Sequence, residues 1–306
     1  MKIATVDVGT NSTRLLISEI KDGKVHEIFK TGRVTRLGEG VRERKRLSRE
    51  GIERTINALR EFKEIIESYC VEKVIVVTTE AARVAENASE FLAAASELGF
   101  EIEILQDREE AELVFWANVL HFNPNQKAMT VDLGGGSTEI VYGSREEIEF
   151  LTSLKFGVVA LYETFIKSDP PKSEELLKME GFIRGELSKI KPKIKEKPVV
   201  YAVGGTITSV VAMEEKMIVY KPEVVHGYRV TREMIERWYR ELSSMRMEER
   251  KKVEGLEEKR ADVIIPGLAF FKVFCEVFEV KELTVSELGL LYALALKEAL
   301  KCQQRG

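Results

Sequence analysis

Apolar residues first recur along the chain in strand-like runs. KIATVDV at 2–8 is a near-continuous apolar run ending in an acid, which predicts a strand covered on both faces. TRLLISEI at 13–20 and KVHEIFKTGRV at 24–34 follow, and Asp22-Gly23 between them supplies a hairpin turn. The period then lengthens. From about Ser48, whose hydroxyl can cap, Ile52, Ile56, Leu59, Phe62, Ile65 and Ile66 form the single stripe of an amphipathic helix. KVIVV at 73–77 reads as a buried strand, 88–98 as a helix, FEIEIL at 100–105 as a strand and 108–120 as a helix. HFNPNQ at 121–126 has the composition of a boundary.

Beyond it the pattern restarts. DVGTNST at 7–13 and DLGGGST at 132–138 match at Asp, Gly, Ser and Thr with an offset of 125 residues. The same offset carries Gly32 to Gly157 and aligns KVIVVTT at 73–79 with PVVYAVG at 198–204. A βββαβα unit used twice predicts two similar α/β domains, 1–122 and 123–306, with equivalent turns lining a cleft between them. The second half adds helices at 174–190, 231–243 and 260–279, a strand at KELTV and a final helix at 287–301, which could pack back on the first domain.

Composition narrows the class. At 306 residues the chain exceeds what one core usually serves, and its 44% apolar content is enough to bury two. A net charge of −4 supplies no globally basic field, which argues against a nucleic-acid polymer as partner, so an anion must be captured locally. No run of about 18 apolar residues predicts a membrane span, and Asp7 interrupts any leader-like start. Cys70, Cys275 and Cys302 lack metal or redox spacing and read as buried thiols in a reducing cytoplasm.

The candidate chemistry lies in three turns. Those after the first strand of each repeat offer an acid, Asp7 or Asp132, then small residues with accessible N–H groups and hydroxyls: Asn11 and Ser12, or Gly134, Gly135, Gly136 and Ser137. Such a concave run of N–H groups binds phosphate, and glycine lets the anion approach the main chain. Gly204, Gly205 and Thr206 form a third turn, joining a strand to a helix whose dipole points at the same kind of ligand. Any one of these turns alone reads first as a tight structural turn; their duplication favours a site. The P-loop GxxxxGK[ST] is absent, as are GxGxxG, HExxH and GxSxG.

Seven segments in order, DVGTNSTRLL, TTEAARVAENASEF, DREEAELVF, VDLGGGSTEIVYG, VGGTITS, VHG and KRADVIIPG, resemble the exopolyphosphatase / guanosine pentaphosphate phosphohydrolase family in its short two-domain form. The resemblance covers nearly the whole chain. It implies the α/β fold of duplicated ribonuclease H-like, actin-like ATPase domains, with the active site in the interdomain cleft. It also implies hydrolysis of the terminal phosphoanhydride of inorganic polyphosphate, with guanosine pentaphosphate as the alternative substrate. By the same resemblance Glu110 is the catalytic glutamate that activates water, and Asp132 and Glu139 hold Mg²⁺ or another divalent cation, with Asp7 placed to share it. Arg14, Arg83 and Arg260 stand where the family contacts phosphate, and guanidinium forks suit phosphate oxygens. His226 matches the VHG motif, where a structural hydrogen bond is an equal reading.

One departure is visible. Ser286-Glu287-Leu288-Gly289 runs into Leu290 where the family commonly continues with an Arg-acid-Gly sequence, so no substrate contact is assigned there. The lysines at 189, 191, 193, 195 and 197 alternate across a Pro192 break and read as a solvated surface before they read as a polyanion track. AFFKVFCEVFEV at 269–280 is explained by burial in a three-layer domain, with a homodimer contact as the alternative. An ATP-using kinase and a catalytically silent sensor remain as other classes.

Overall fold

The computed structural model describes residues 1–303, which form two compact units: Met1–Ala117 with the chain from Leu288 onward, and Asn118–Glu287. The division falls inside the Asp107–Phe122 helix, and the final helix belongs to the first unit.

In the first unit, β1 (Lys2–Val8), β2 (Ser12–Lys21), β3 (Lys24–Val34), β4 (Lys73–Thr78) and β5 (Ile102–Ile104) form a sheet of order β3-β2-β1-β4-β5. The first three strands are antiparallel neighbours, and β4 and β5 join in parallel. Asp22 and Gly23 both take positive φ, 51° and 70°, which is what a two-residue hairpin turn with the right twist requires. Side chains alternate across β1: Ala4, Val6 and Val8 meet Leu59, Phe62 and Ile66 of the Arg49–Ser68 helix, while Ile3 packs with Ala295 and Ala299 of the Leu290–Gln303 helix. The strand is therefore covered on both faces. Ser48 caps the long helix, its Oγ accepting from Gly51 N at 3.0 Å.

In the second unit, β6 (Ala128–Leu133), β7 (Thr138–Gly143), β8 (Ile148–Leu154), β9 (Val199–Val203), β10 (Arg229–Thr231) and β11 (Glu282–Ser286) are ordered β8-β7-β6-β9-β11-β10. The first five strands repeat the order of the first unit and the last extends the edge. Both units therefore have the ribonuclease H-like, actin-like arrangement. Phe270, Phe271, Val273, Phe274, Cys275 and Val277 of the Ile264–Phe278 helix are all buried in this unit's core.

The repeat holds at the hairpins and drifts elsewhere. Asp7 pairs with Arg14 and Asp132 with Glu139, keeping the offset of 125. Across the parallel neighbour, however, Asp7 faces Val77 and Asp132 faces Val203, a shift of one residue. The match of Gly32 with Gly157 is not structural: Gly32 lies within β3, opposite Arg14, whereas Gly157 follows β8 and precedes the Val158–Phe165 helix. The physical reason is that β7 is shorter than β2, so the chain leaves the second sheet earlier. The helix expected from 260 begins at Ile264 instead, and Arg260 ends a short 3-10 turn, Glu258–Arg260. The thiols also differ from expectation. Only Cys275 is buried, while Cys70 and Cys302 are exposed.

Candidate active site

Each sheet presents its acid at the end of its first strand, followed by a turn of the same build. In the first unit Gly9 N donates to Ser12 O at 3.0 Å, and in the second Gly134 N donates to Ser137 O at 3.1 Å. The loop carbonyls are tied down from behind. Asn11 O accepts from Thr35 N and Arg36 N, and Thr10 O from Gly38 N. In the second unit Gly134 O and Gly135 O accept from Val158 N and Val159 N at 3.0 and 2.9 Å. A turn whose carbonyls are fixed in this way suits the presentation of its N–H groups to an anion.

Glycine is required here for close approach. A Cβ on Gly157 would lie 2.3 Å from Gly134 O, so only glycine lets this backbone pack on the glycine turn. Gly204 has φ +108° and sits against the end of β6; a Cβ there would lie 3.5 Å from Asp132 Oδ1. The third turn thus abuts Asp132. Arg260 covers Gly205, where a Cβ would meet its Nη1 at 2.0 Å, and its Nε donates to Glu257 at 2.9 Å. The Thr206 side chain faces Gly267 within the core, which leaves its main chain as the part suited to an anion.

Asp132 and Glu139 stand directly opposite on antiparallel β6 and β7, hence on the same face of the sheet. Glu139 is 4% exposed and accepts from Ser153 Oγ at 2.8 Å. Two adjacent carboxylates without a third protein ligand fit a hard divalent cation that keeps water and takes substrate phosphate, as Mg²⁺ does. Among the described residues no group of three or more His, Cys, Asp or Glu could hold a metal ion. In the first unit the equivalent position pairs Asp7 with Arg14, so the repeat substitutes a cation for the second acid.

Glu110 lies in the first turn of the Asp107–Phe122 helix. Arg83, at the end of the Glu80–Val84 helix, donates to Glu110 Oε2 at 3.4 Å, pairs with Asp107 and donates to Leu105 O. Arg83 and Glu110 are 12% and 13% exposed, so the fork holds a carboxylate that retains limited access to water. Glu109 instead pairs with Lys297 at 2.8 Å, which separates the roles of the neighbouring acids. His226 accepts from Glu287 N at its Nδ1, 3.2 Å, and its Nε2 lies 2.9 Å from His121 Nε2, a structural arrangement. Of the five alternating lysines, Lys189 pairs with Glu186 and Lys191 with Glu279.

Three residues of the first unit form a tie between segments far apart in sequence. Glu80 is buried and binds Thr10 of the first turn and Arg42 of the short Val41–Arg44 helix, both far away in sequence.

Among the described residues no helix is long and apolar enough to cross a membrane. The sequence model of the Ppx/GppA phosphatase family matches residues 16–301. Exopolyphosphatase 2 of Mycobacterium tuberculosis is 31% identical over 318 residues, covering 97% of this chain and 98% of that protein. The guanosine-5'-triphosphate,3'-diphosphate pyrophosphatase of Vibrio parahaemolyticus is 29% identical, covering 95% of this chain and 59% of its own length. The solved structure of the Aquifex aeolicus Ppx/GppA family member has a TM-score of 0.83 and 39% identity, covering 98% of both chains.

Proposed function

Because the chain belongs to the Ppx/GppA phosphatase family, we propose that it hydrolyses the terminal phosphoanhydride of inorganic polyphosphate and releases orthophosphate. The observation that carries this reading is Glu110 held by Arg83 in the first turn of its helix, in a chain matched over nearly its full length by an exopolyphosphatase. Glu110 accepts a proton from water as the water oxygen bonds to the terminal phosphorus. The bridging P–O bond breaks and the shortened chain leaves. The N–H groups of the 9–12, 134–137 and 204–206 turns position phosphate oxygens, and Arg14, Arg83 and Arg260 offset the charge on them. Asp132 and Glu139 would hold a divalent cation, which would supply neutralisation of the phosphate oxygens when bound, and Asp7 occupies the equivalent position of the first unit.

Guanosine pentaphosphate is the second reading, supported by the similarity to the Vibrio enzyme. Both substrates end in the same group, so the turns alone do not distinguish them. The exposed, unpaired Cys70 and Cys302 suit a reducing compartment, and cytoplasmic location follows in this reading.

The test is phosphate release with Mg²⁺ from long polyphosphate, guanosine pentaphosphate and ATP at equal concentrations of terminal phosphate. Faster release from polyphosphate supports the proposal, and faster release from the pentaphosphate supports the alternative. Release from neither, with tight binding of both, would leave a silent sensor. Turnover that needs ATP and an acceptor hydroxyl would indicate a kinase.

A further inference from the structure

Glu80 is an acid in an unusual place. It is 3% exposed, and burying a carboxylate is costly unless it is paired and hydrogen-bonded. Its partners satisfy that need: Thr10 Oγ1 donates to Oε2 at 3.2 Å and Arg42 Nη2 donates to Oε1. Thr10 belongs to the first turn. The segment leading into the short Val41–Arg44 helix that carries Arg42 is itself fastened to that turn, because Gly38 N donates to Thr10 O at 2.9 Å. A Cβ on Gly38 would lie 2.4 Å from Thr10 Cγ2 and 3.1 Å from Ala81 Cβ, so three segments meet with no space for one more carbon.

The same five-residue helix, Glu80–Val84, carries Arg83, which binds Glu110 and Asp107. At one end it grips the anion turn, and at the other it grips the glutamate that activates water. Just before it, Thr78 Oγ1 donates to Val8 O at 2.9 Å, and Thr78 O accepts from Leu105 N at 3.0 Å. The 78–83 segment therefore bonds on one side to the end of β1 and its turn, and on the other to the chain leading into the Glu110 helix.

We infer that Glu80 is a positioning residue for hydrolysis, which through Thr10 and Arg42 keeps the first anion turn in register with the Arg83–Glu110 pair. The inference rests on the proposed phosphoanhydride hydrolysis. Its action is on alignment: a displacement of about 1 Å at a reacting centre costs up to roughly 10²-fold in rate. Substrate binding, which draws on several turns, changes less.

The test uses Glu80→Gln, which keeps the volume and an acceptor for Thr10 but removes the charge that holds Arg42, together with Arg42→Gln and the double variant. Phosphate release from polyphosphate gives kcat and KM for each, and thermal unfolding is measured alongside. The expected result is a kcat lowered by roughly tenfold or more in each single variant with KM changed by less than about threefold. The double variant should be no worse than the poorer single one, because the two residues act as one unit. Either unchanged kcat in both single variants or losses that multiply in the double variant overturns the inference. A lowered unfolding temperature with normal kcat would reduce Glu80 to a structural tie. Should Glu80→Gln fail to fold, Arg42→Gln and Thr10→Val carry the same kcat comparison. A wild-type protein that releases no phosphate refutes the proposed function itself, whereas an active wild type with unaffected variants refutes only the role of Glu80.

Discussion

Arg83 holds Glu110 through a hydrogen bond of 3.4 Å while pairing with Asp107 on the same helix, so one guanidinium serves two carboxylates. The charge balance makes the two partners differ in what their loss does. Glu110→Gln leaves Arg83 with Asp107 and should fold normally, with kcat reduced by at least roughly 10² because the proposed base is removed. Arg83→Ala leaves two neighbouring carboxylates without their counter-charge and should lower both activity and stability, the latter by about 1–3 kcal/mol. Steady-state kinetics and urea unfolding separate the two effects; a Glu110→Gln enzyme with near-normal turnover would remove Glu110 from the mechanism.

Two glycines beside the turns should respond differently to the same added methyl group. In Gly157→Ala the new Cβ meets the Gly134 and Gly135 backbone at 2.3–2.6 Å, and main chain cannot step aside cheaply. The expected cost is about 1–3 kcal/mol of folding stability. In Gly205→Ala the obstacle is the far end of the Arg260 side chain at 2.0 Å, which can swing away. Stability should then change by less than about 0.5 kcal/mol. KM for polyphosphate should rise, since the guanidinium has left the third turn. Equal unfolding midpoints for the two variants would contradict this division.

The legibility of the chain follows the range of its interactions. Strands and long helices were readable because their period is local: the apolar run of β1 and the stripe from Ile52 to Ile66 each state what they pack against. The repeat was readable at Asp7 and Asp132 because the turn chemistry repeats with them, but Gly32 and Gly157 matched without being equivalent, since hairpin length varies freely at a sheet edge. The five-residue Glu80–Val84 helix and the three-residue β10 are too short to show any period. Glu80, Thr10 and Arg42 are joined by the packing of two short helices and a turn across 38 to 70 residues of sequence, and no local period signals that contact.

The acid pair on β6 and β7 predicts a divalent-cation dependence with a defined origin. Asp132→Asn and Glu139→Gln each remove one charge from adjacent positions on a single sheet face. The Mg²⁺ concentration for half-maximal rate should rise by about 10-fold or more in either variant, with little change in unfolding temperature. Asp7, opposite Arg14 in the first unit, has a cation already at the equivalent place. Asp7→Asn should therefore shift the Mg²⁺ requirement less than Asp132→Asn, and the reverse order would reassign the principal ligand.

Thiol chemistry reports on the second core. Burial raises the Cys275 thiol to about 12, and its side chain lies among Phe271, Phe274 and their neighbours. Attack requires the thiolate and access, and Cys275 has neither at neutral pH. Under native conditions an aromatic disulfide reagent should titrate Cys70 and Cys302 and leave Cys275 until denaturant is added. Rapid reaction of all three thiols in the native protein would mean that the helix carrying Cys275 opens readily.

The pair formed by His121 and His226 predicts a sign for stability against pH. His226 Nδ1 accepts from Glu287 N, so in the neutral ring the proton sits on Nε2 and points at His121 Nε2 at 2.9 Å. Protonating His121 would set two N–H groups against each other, and burial already lowers its pKa from the ordinary 6.5. A histidine whose folded value is depressed favours the folded state fully above 6.5, and that contribution is lost as pH falls from 6.5 towards the lowered value, because the unfolded chain then binds the extra proton. The unfolding temperature of the wild type should therefore decline more between pH 7 and the acid side of this window than that of His121→Gln. The imidazole resonance of His121 in the folded protein should titrate below 6.5. A midpoint at or above that value, or parallel declines of the two proteins, would show that the ring pair does not resist protonation.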